Sequence, residues 1–150
     1  MHHCVDGSFR LPPDVPGREP RYTYEELNGH RMTTIRVLLV DDTPQVRRDL
    51  RSMLTLCEGI EVVGEAGNGQ EAVEMTRTLK PDVVLMDLEM PALDGFEAST
   101  RIKRDRLSAR VVALTIHDDE DSHRRASQAG IDAFIVKGAA LEELLGAIRA

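Results

Sequence analysis

Four short apolar runs in this chain each end on a residue that can do chemistry. Ile35-Arg36-Val37-Leu38-Leu39-Val40 is closed by Asp41 and Asp42, and Val83-Val84-Leu85-Met86 by Asp87. Val111-Val112-Ala113-Leu114 is closed by Thr115, and Phe134-Ile135-Val136 by Lys137. Apolar runs of this length, separated by helix-length segments, read as buried parallel strands with crossover helices. In such a sheet every strand's carboxyl end lies on the same edge, where ligands bind. Three carboxylates, one hydroxyl and one amine are thereby brought together. That set suits a hard divalent cation and a phosphoryl group.

A chain of 150 residues with 41% apolar and 30% charged residues suits one domain with a real core. No run approaches the roughly 18 apolar residues of a membrane span. The start, Met1-His2-His3-Cys4-Val5-Asp6, lacks the basic-then-apolar layout of a secretory signal, so the expected location is the cytoplasm. A net charge of −7 argues against binding nucleic acid by bulk electrostatics. Cys4 and Cys57 make no disulfide framework, and Cys57 ends an amphipathic stretch as a small core residue. His2, His3 and Cys4 have metal-binding side chains, but the simpler reading is a tail.

Pro12, Pro13, Pro16 and Pro20 fall in a segment without apolar periodicity, so residues 1–33 are expected to be a disordered or loosely packed extension. The folded domain is expected over 34–150, as a β-α unit repeated five times. The first strand is read at 35–40, with Thr43 as N-cap and Pro44 in the first turn of the helix after it. Val46, Leu50, Met53 and Leu54 give that helix one apolar face. The second strand is read at 60–66, followed by a helix with Ala72, Met75, Thr76 and Leu79 inward. A third strand at 82–86 leads through a loop to a helix ending near 106, and a fourth strand runs over 110–115. The fourth helix, about 119–129, has almost no apolar residues besides Ala126 and Ala129, so it is expected to be weakly held. The fifth strand is read at 133–137, and the last helix at 140–150 turns Leu141, Leu144, Leu145 and Ile148 to one side.

Two carboxylates about 4 Å apart repel by roughly 4 kcal/mol at an effective dielectric near 20. Asp41, Asp42 and Asp87 on one edge therefore cost stability unless a cation or proton offsets them. Magnesium fits, since it takes oxygen ligands, needs only one or two carboxylates and keeps exchangeable waters. The plainer alternative is that Asp41 and Asp42 only favour the N-terminus of a helix; the further placement of Asp87, Thr115 and Lys137 at strand ends weighs against it. Asp87 is the candidate nucleophile, since a carboxylate can form an aspartyl phosphate. Lys137 and Thr115 are candidates to bind phosphoryl oxygens.

These segments resemble the receiver domain of two-component response regulators. The resemblance rests on Val37-Leu38-Leu39-Val40-Asp41-Asp42, on Val83-Val84-Leu85-Met86-Asp87-Leu88-Glu89-Met90-Pro91-Ala92-Leu93-Asp94-Gly95, on Thr115 and on Phe134-Ile135-Val136-Lys137, in that order over 34–150. Val62-Val63-Gly64-Glu65-Ala66-Gly67-Asn68-Gly69 and a short last helix are similar to the NarL/LuxR-type branch. That branch usually adds a DNA-binding domain, and the reading here is a receiver standing alone. The resemblance implies a CheY-like, flavodoxin-like doubly wound sheet of five parallel strands in the order 2-1-3-4-5. It implies Asp87 as phospho-acceptor, and Mg2+ held by Asp41, Asp42, Asp87 and the backbone carbonyl of Glu89. Thr115 becomes the switch hydroxyl, Lys137 the site's lysine and Phe134 the aromatic whose rotamer reports activation. Glu89 and His117 become modulators of phosphate lifetime.

The implied donor is a sensor histidine kinase or phosphotransfer protein. The implied output is a protein partner on the face of helix four, strand five and helix five, with homodimerisation on phosphorylation and no direct binding of nucleic acid or membrane. The chain departs from the family in having Gly138 where a proline often follows the lysine, and phenylalanine at 134 where tyrosine is commoner. Three other classes compete. A pure interaction module would not need all five functional residues. A haloacid-dehalogenase-type phosphatase needs Asp-x-Asp, which Asp41-Asp42-Thr43 does not supply. A flavin binder of like fold would face repulsion between its phosphate and the acids after strand one.

Overall fold

In a computed structural model, residues 34–105 and 109–150 are described. Five strands alternate with five helices: β1 Ile35–Val40, α1 Pro44–Thr55, β2 Ile60–Ala66, α2 Gly69–Leu79, β3 Val83–Asp87, α3 Gly95–Arg104, β4 Arg110–Thr115, α4 Glu120–Gln128, β5 Ala133–Val136 and α5 Leu141–Arg149. The strands form one parallel sheet in the order β2-β1-β3-β4-β5. This is the doubly wound α/β order that the resemblance to receiver domains implies. The expectation for residues 1–33, including the His2-His3-Cys4 group, lies outside the described residues. Among the described residues no helix is long and apolar enough to cross a membrane.

The sheet divides two cores. Leu38, Val40, Val84, Met86, Val111 and Ala113 pack on one side with Ala72 and Val73 of α2 and Ala98 and Ile102 of α3. Val37, Leu39, Leu85, Val112, Leu114 and Ile135 pack on the other with Leu54 of α1 and Leu144 and Ile148 of α5. Alternate strand residues point to opposite faces, so an apolar residue at each successive position is what a sheet covered on both sides demands. The helix faces differ from the expected stripes in detail. Val73 is buried beside Ala72, while Val46, Leu50 and Met53 are only half-buried on α1.

Helix starts obey local chemistry. Asn68, Asp94 and Asp119 each accept a hydrogen bond from the backbone N–H three residues on, opening α2, α3 and α4. Thr43 stands at the N-cap of α1 with Pro44 behind it, yet its hydroxyl makes no cap bond. The turn is tied from the strand side instead, where Asp41 Oδ1 accepts from the Thr43 N–H at 2.9 Å. Two further boundaries move slightly. β3 runs one residue later than expected, so Asp87 is itself a strand residue, and α3 stops at Arg104.

Gly95 begins α3 at a place where nothing larger fits. A β-carbon there would lie 2.2 Å from the carbonyl oxygen of Asp87, so α3 starts pressed against the strand that carries the acidic residue. The Gly95 N–H donates to the Leu88 carbonyl at 3.2 Å, closing the loop between them.

Candidate functional site

The carboxyl edge gathers Asp41 and Asp42 from the end of β1, Asp87 from β3, Thr115 from β4 and Lys137 just past β5. Asp41, Asp87 and Thr115 are buried and Asp42 is exposed. Each of the three aspartates offers one carboxylate oxygen, and these oxygens lie within 4.8 Å of one another. Lys137 Nζ reaches Asp41 Oδ2 at 3.0 Å and stands 3.6 Å from Asp87 Oδ1. Asp41 is thus fully engaged, with Thr43 N–H on one oxygen and Lys137 on the other. The Asp42 carboxylate accepts no hydrogen bond among the described residues.

Burial dominates the acidity of Asp87 and pushes its pKa up to about 6. The Glu89 N–H, donating to Asp87 Oδ1 at 3.1 Å, opposes this, the charge of Asp41 adds to it, and Lys137 and then Asp42 act in opposite senses. Burial alone would lower the Lys137 ammonium, but its hydrogen bond to Asp41 and the charges of Asp87 and Asp41 outweigh that and hold it above its ordinary value. The site is therefore one of surplus negative charge, offset in part by one lysine. A divalent cation on the oxygen donors would remove the surplus, and the donor set fits magnesium.

Thr115 Oγ1 accepts the His117 N–H at 3.1 Å, leaving its hydroxyl proton free to donate elsewhere, and the Lys137 N–H donates to the Thr115 carbonyl at 2.7 Å. The side chains of Glu89 and His117 meet across the mouth of the site, carboxylate oxygen against Nε2. Beyond Thr115 runs a cleft of about 620 Å³ between the β3–α3 loop and α4, lined in part by Met90, Phe96, His117 and Arg125. Phe134 pairs with Ala113 in the sheet and is half-buried, its ring stacked on His123 of α4 at 3.9 Å between centroids and 28° between planes. Gly138 takes φ +94°, a conformation closed to proline, which accounts for the glycine after the lysine.

Several contacts around the site carry no sequence motif. Arg125 of α4 lies 4.0 Å over the Phe96 ring, and His123 Nε2 meets Asp118 Oδ1 at 2.6 Å. Arg47 of α1 donates to the Asp41 carbonyl at 2.5 Å and to Glu65 at 3.1 Å, and Arg51 reaches the other oxygen of Glu65 at 2.6 Å. The arginine pair had a signal, since residues four apart share one helix face. Nothing in the pattern named Glu65 as their target.

An acid-lined carboxyl edge on a 2-1-3-4-5 sheet defines a class, the CheY-like α/β domains. The chain belongs to the response regulator receiver domain family, whose model matches residues 37–149, and is a receiver domain of the two-component systems. It is 44% identical over 115 residues to the response regulator GacA of Pseudomonas viridiflava, covering 77% of this chain and 54% of that protein. The chain thus spans about half the length of such curated relatives. The signal receiver domain of the response regulator NarL from Mycobacterium tuberculosis superposes with a TM-score of 0.73 at 30% identity, over 79% of this chain and 98% of that one. CheY in the CheX-CheY-BeF3-Mg+2 complex from Borrelia burgdorferi superposes with a TM-score of 0.71 at 27% identity, over 77% of this chain and 87% of that one.

Proposed function

We propose that Asp87 accepts a phosphoryl group from the phosphohistidine of a sensor histidine kinase or phosphotransfer protein, and that the chain then signals through α4, β5 and α5. One observation carries this reading: Asp87 is a buried carboxylate whose Oδ1 is held by the Glu89 N–H and faces Lys137, while Oδ2 accepts no hydrogen bond from the described residues. Such an oxygen is positioned to attack phosphorus. The P–N bond breaks as the O–P bond forms, and its electrons return to the imidazole nitrogen, which takes up a proton. The products are an aspartyl phosphate and a neutral histidine.

Asp41, Asp42 and Asp87, with the backbone carbonyl of Glu89, would hold magnesium, which when bound neutralises charge on the phosphoryl oxygens. The relative captured with beryllofluoride and Mg2+ supports that assignment by likeness. Of the two β1 acids, Asp42 is the freer to meet the ion directly, because Asp41 already serves Thr43 and Lys137. Lys137 binds a second phosphoryl oxygen as a point charge and Thr115 donates its hydroxyl to a third. As Thr115 moves toward the phosphate, Phe134 turns into the vacated space and leaves His123. Glu89 and His117 modulate how long the phosphate survives. The chain's enzymatic work is confined to its own phosphorylation and dephosphorylation. Its net charge of −7 fits a protein partner, or a second copy on phosphorylation, rather than nucleic acid or membrane, and the proposed location is the cytoplasm.

Intact mass after incubation with acetyl phosphate and Mg2+ tests the reading. One phosphoryl group is expected on the wild type and none on Asp87→Asn; equal labelling of the two would sink the assignment.

A further inference from the structure

The peptide between Asp41 and Asp42 is gripped by a side chain from α1. Arg47 Nη1 donates to the Asp41 carbonyl at 2.5 Å while its Nε donates to Glu65 Oε1 at 3.1 Å. Glu65, near the end of β2, is itself braced by Arg51 on its other oxygen at 2.6 Å. The Arg51 hydrogen bond keeps the Glu65 carboxyl below its ordinary range, against burial. The Arg47 side chain is only 19% exposed.

This grip determines the aim of Asp42. The Asp41 carbonyl and the Asp42 N–H belong to one rigid plane. On one side Asp41 N–H is fixed to the Ala66 carbonyl at 3.1 Å; on the other Thr43 N–H is fixed to Asp41 Oδ1 at 2.9 Å. Arg47 fixes the plane between. Asp42 therefore has a braced backbone beneath a carboxylate that no described residue binds. We infer that Arg47, tensioned by Glu65, is a positioning residue of the cation site and acts through the Asp41–Asp42 peptide. Its role rests on the magnesium site proposed for Asp41, Asp42 and Asp87.

Charge and geometry act in opposite senses here, which makes the two effects separable. As a nearby positive charge Arg47 disfavours a cation; as a brace it favours one. Arg47→Lys keeps the charge but lacks the planar fork that spans carbonyl and carboxylate together. Removing a group that orients a metal ligand typically weakens affinity by roughly 10–100-fold, and roughly tenfold is expected for Arg47→Lys. Glu65→Gln leaves Arg47 in place, slackens it, and is expected to weaken magnesium in the same direction.

The test is a Mg2+ titration followed by the amide NMR shifts of Asp42 and Thr43, paired with phosphorylation by phosphoramidate across Mg2+ concentrations and with thermal melting. The expected result is a raised half-saturating Mg2+ concentration in both variants, with the wild-type rate regained at saturating Mg2+. If Arg47→Lys does not fold, Glu65→Asp serves, since it keeps the charge and shortens the reach to both arginines. Wild-type affinity in the folded variants, with only a lowered melting temperature, overturns the inference, and so does tighter binding in Arg47→Lys than in the wild type. Absence of Mg2+ binding by the wild type itself would instead overturn the underlying site reading.

Discussion

At the scale of single residues, the role proposed for Asp87 and the stability of the fold pull apart. Its folded pKa of about 6 stands above the ordinary 3.8. Below about pH 3 the carboxyl is protonated in folded and unfolded chains alike and costs nothing. As pH rises the unfolded chain releases this proton first, so stability falls until the folded group also ionises near pH 6. Above that the charge costs about 3 kcal/mol at most, since one pKa unit is worth about 1.4 kcal/mol. In Mg2+-free buffer Asp87→Asn is therefore expected to be more stable than the wild type at pH 7, and equal to it at about pH 3 apart from effects of other groups. Denaturant melts at both pH values check this, and a wild type as stable as the variant at pH 7 would refute it. A second strained residue lies close by. Ala92 sits at φ +65° in the β3–α3 loop, where a β-carbon costs about 1–2 kcal/mol. Part of that is returned by the greater entropy of an unfolded glycine, so Ala92→Gly is expected to gain about 0.5–1 kcal/mol. A lower denaturation midpoint for that variant would count against the strain.

Among the elements, α4 is the one held least by apolar burial. Within the helix only Ala126 is buried, and Ala129 follows at its cap. Its other holds are rings and charges: His123 on Phe134, and Arg125 over Phe96 and 3.9 Å from Asp94. The polarity of α4 was legible as weakness, because a helix without an apolar stripe buries little. The stack was not, because a histidine on a polar helix announces no partner until the neighbouring strand is placed. The strands read almost to the residue, since a buried parallel strand and its terminating acid or hydroxyl leave a plain mark. The pairing of Glu65 with Arg47 stayed hidden for the opposite reason: an ion pair between a strand and a helix has no period. An aromatic stack is worth about 0.5–1.5 kcal/mol beyond burial, whereas a hydrogen bond from Thr115 to a phosphoryl oxygen is worth about 1.5–3 kcal/mol. The second exceeds the first, so on the proposed switch phosphorylation is expected to pull Phe134 off His123. It follows that His123→Ala removes part of the restraint in advance. Its α4 amides are expected to exchange faster than in the wild type, and its unphosphorylated spectrum to shift toward the beryllofluoride-bound one. An unchanged spectrum and exchange pattern would show that the stack restrains nothing.

For the whole molecule the sheet is the scaffold and, on the proposed function, the transmission as well. The described residues of its two cores run from Ile35 to Ile148, and residues 1–33 are rich in proline without apolar periodicity. A protein shortened to begin at Met32 is accordingly expected to melt within about 2 °C of the full chain, because losing 1 kcal/mol would move a domain of this size by roughly 4 °C. A larger drop would place part of 1–31 against the domain. The same architecture predicts how a signal travels. β3, β4 and β5 are adjacent, so Asp87, Thr115 and Phe134 lie on successive strands. On the proposed function, phosphate on the first is expected to draw the hydroxyl of the second, the ring of the third to follow, and α4 to lose its stacked contact. A gain of 1.5–3 kcal/mol is about one to two orders of magnitude in a two-state equilibrium. That is enough to invert a modest bias and too little to displace a helix anchored by a full apolar stripe. Beryllofluoride with Mg2+ is therefore expected to shift amides through α4, β5 and α5 in the wild type. In Thr115→Ala the shifts should stay near Asp42 and Asp87, while Asp87 still takes up phosphate from acetyl phosphate. Distant shifts in Thr115→Ala equal to those of the wild type would mean that the route bypasses the hydroxyl.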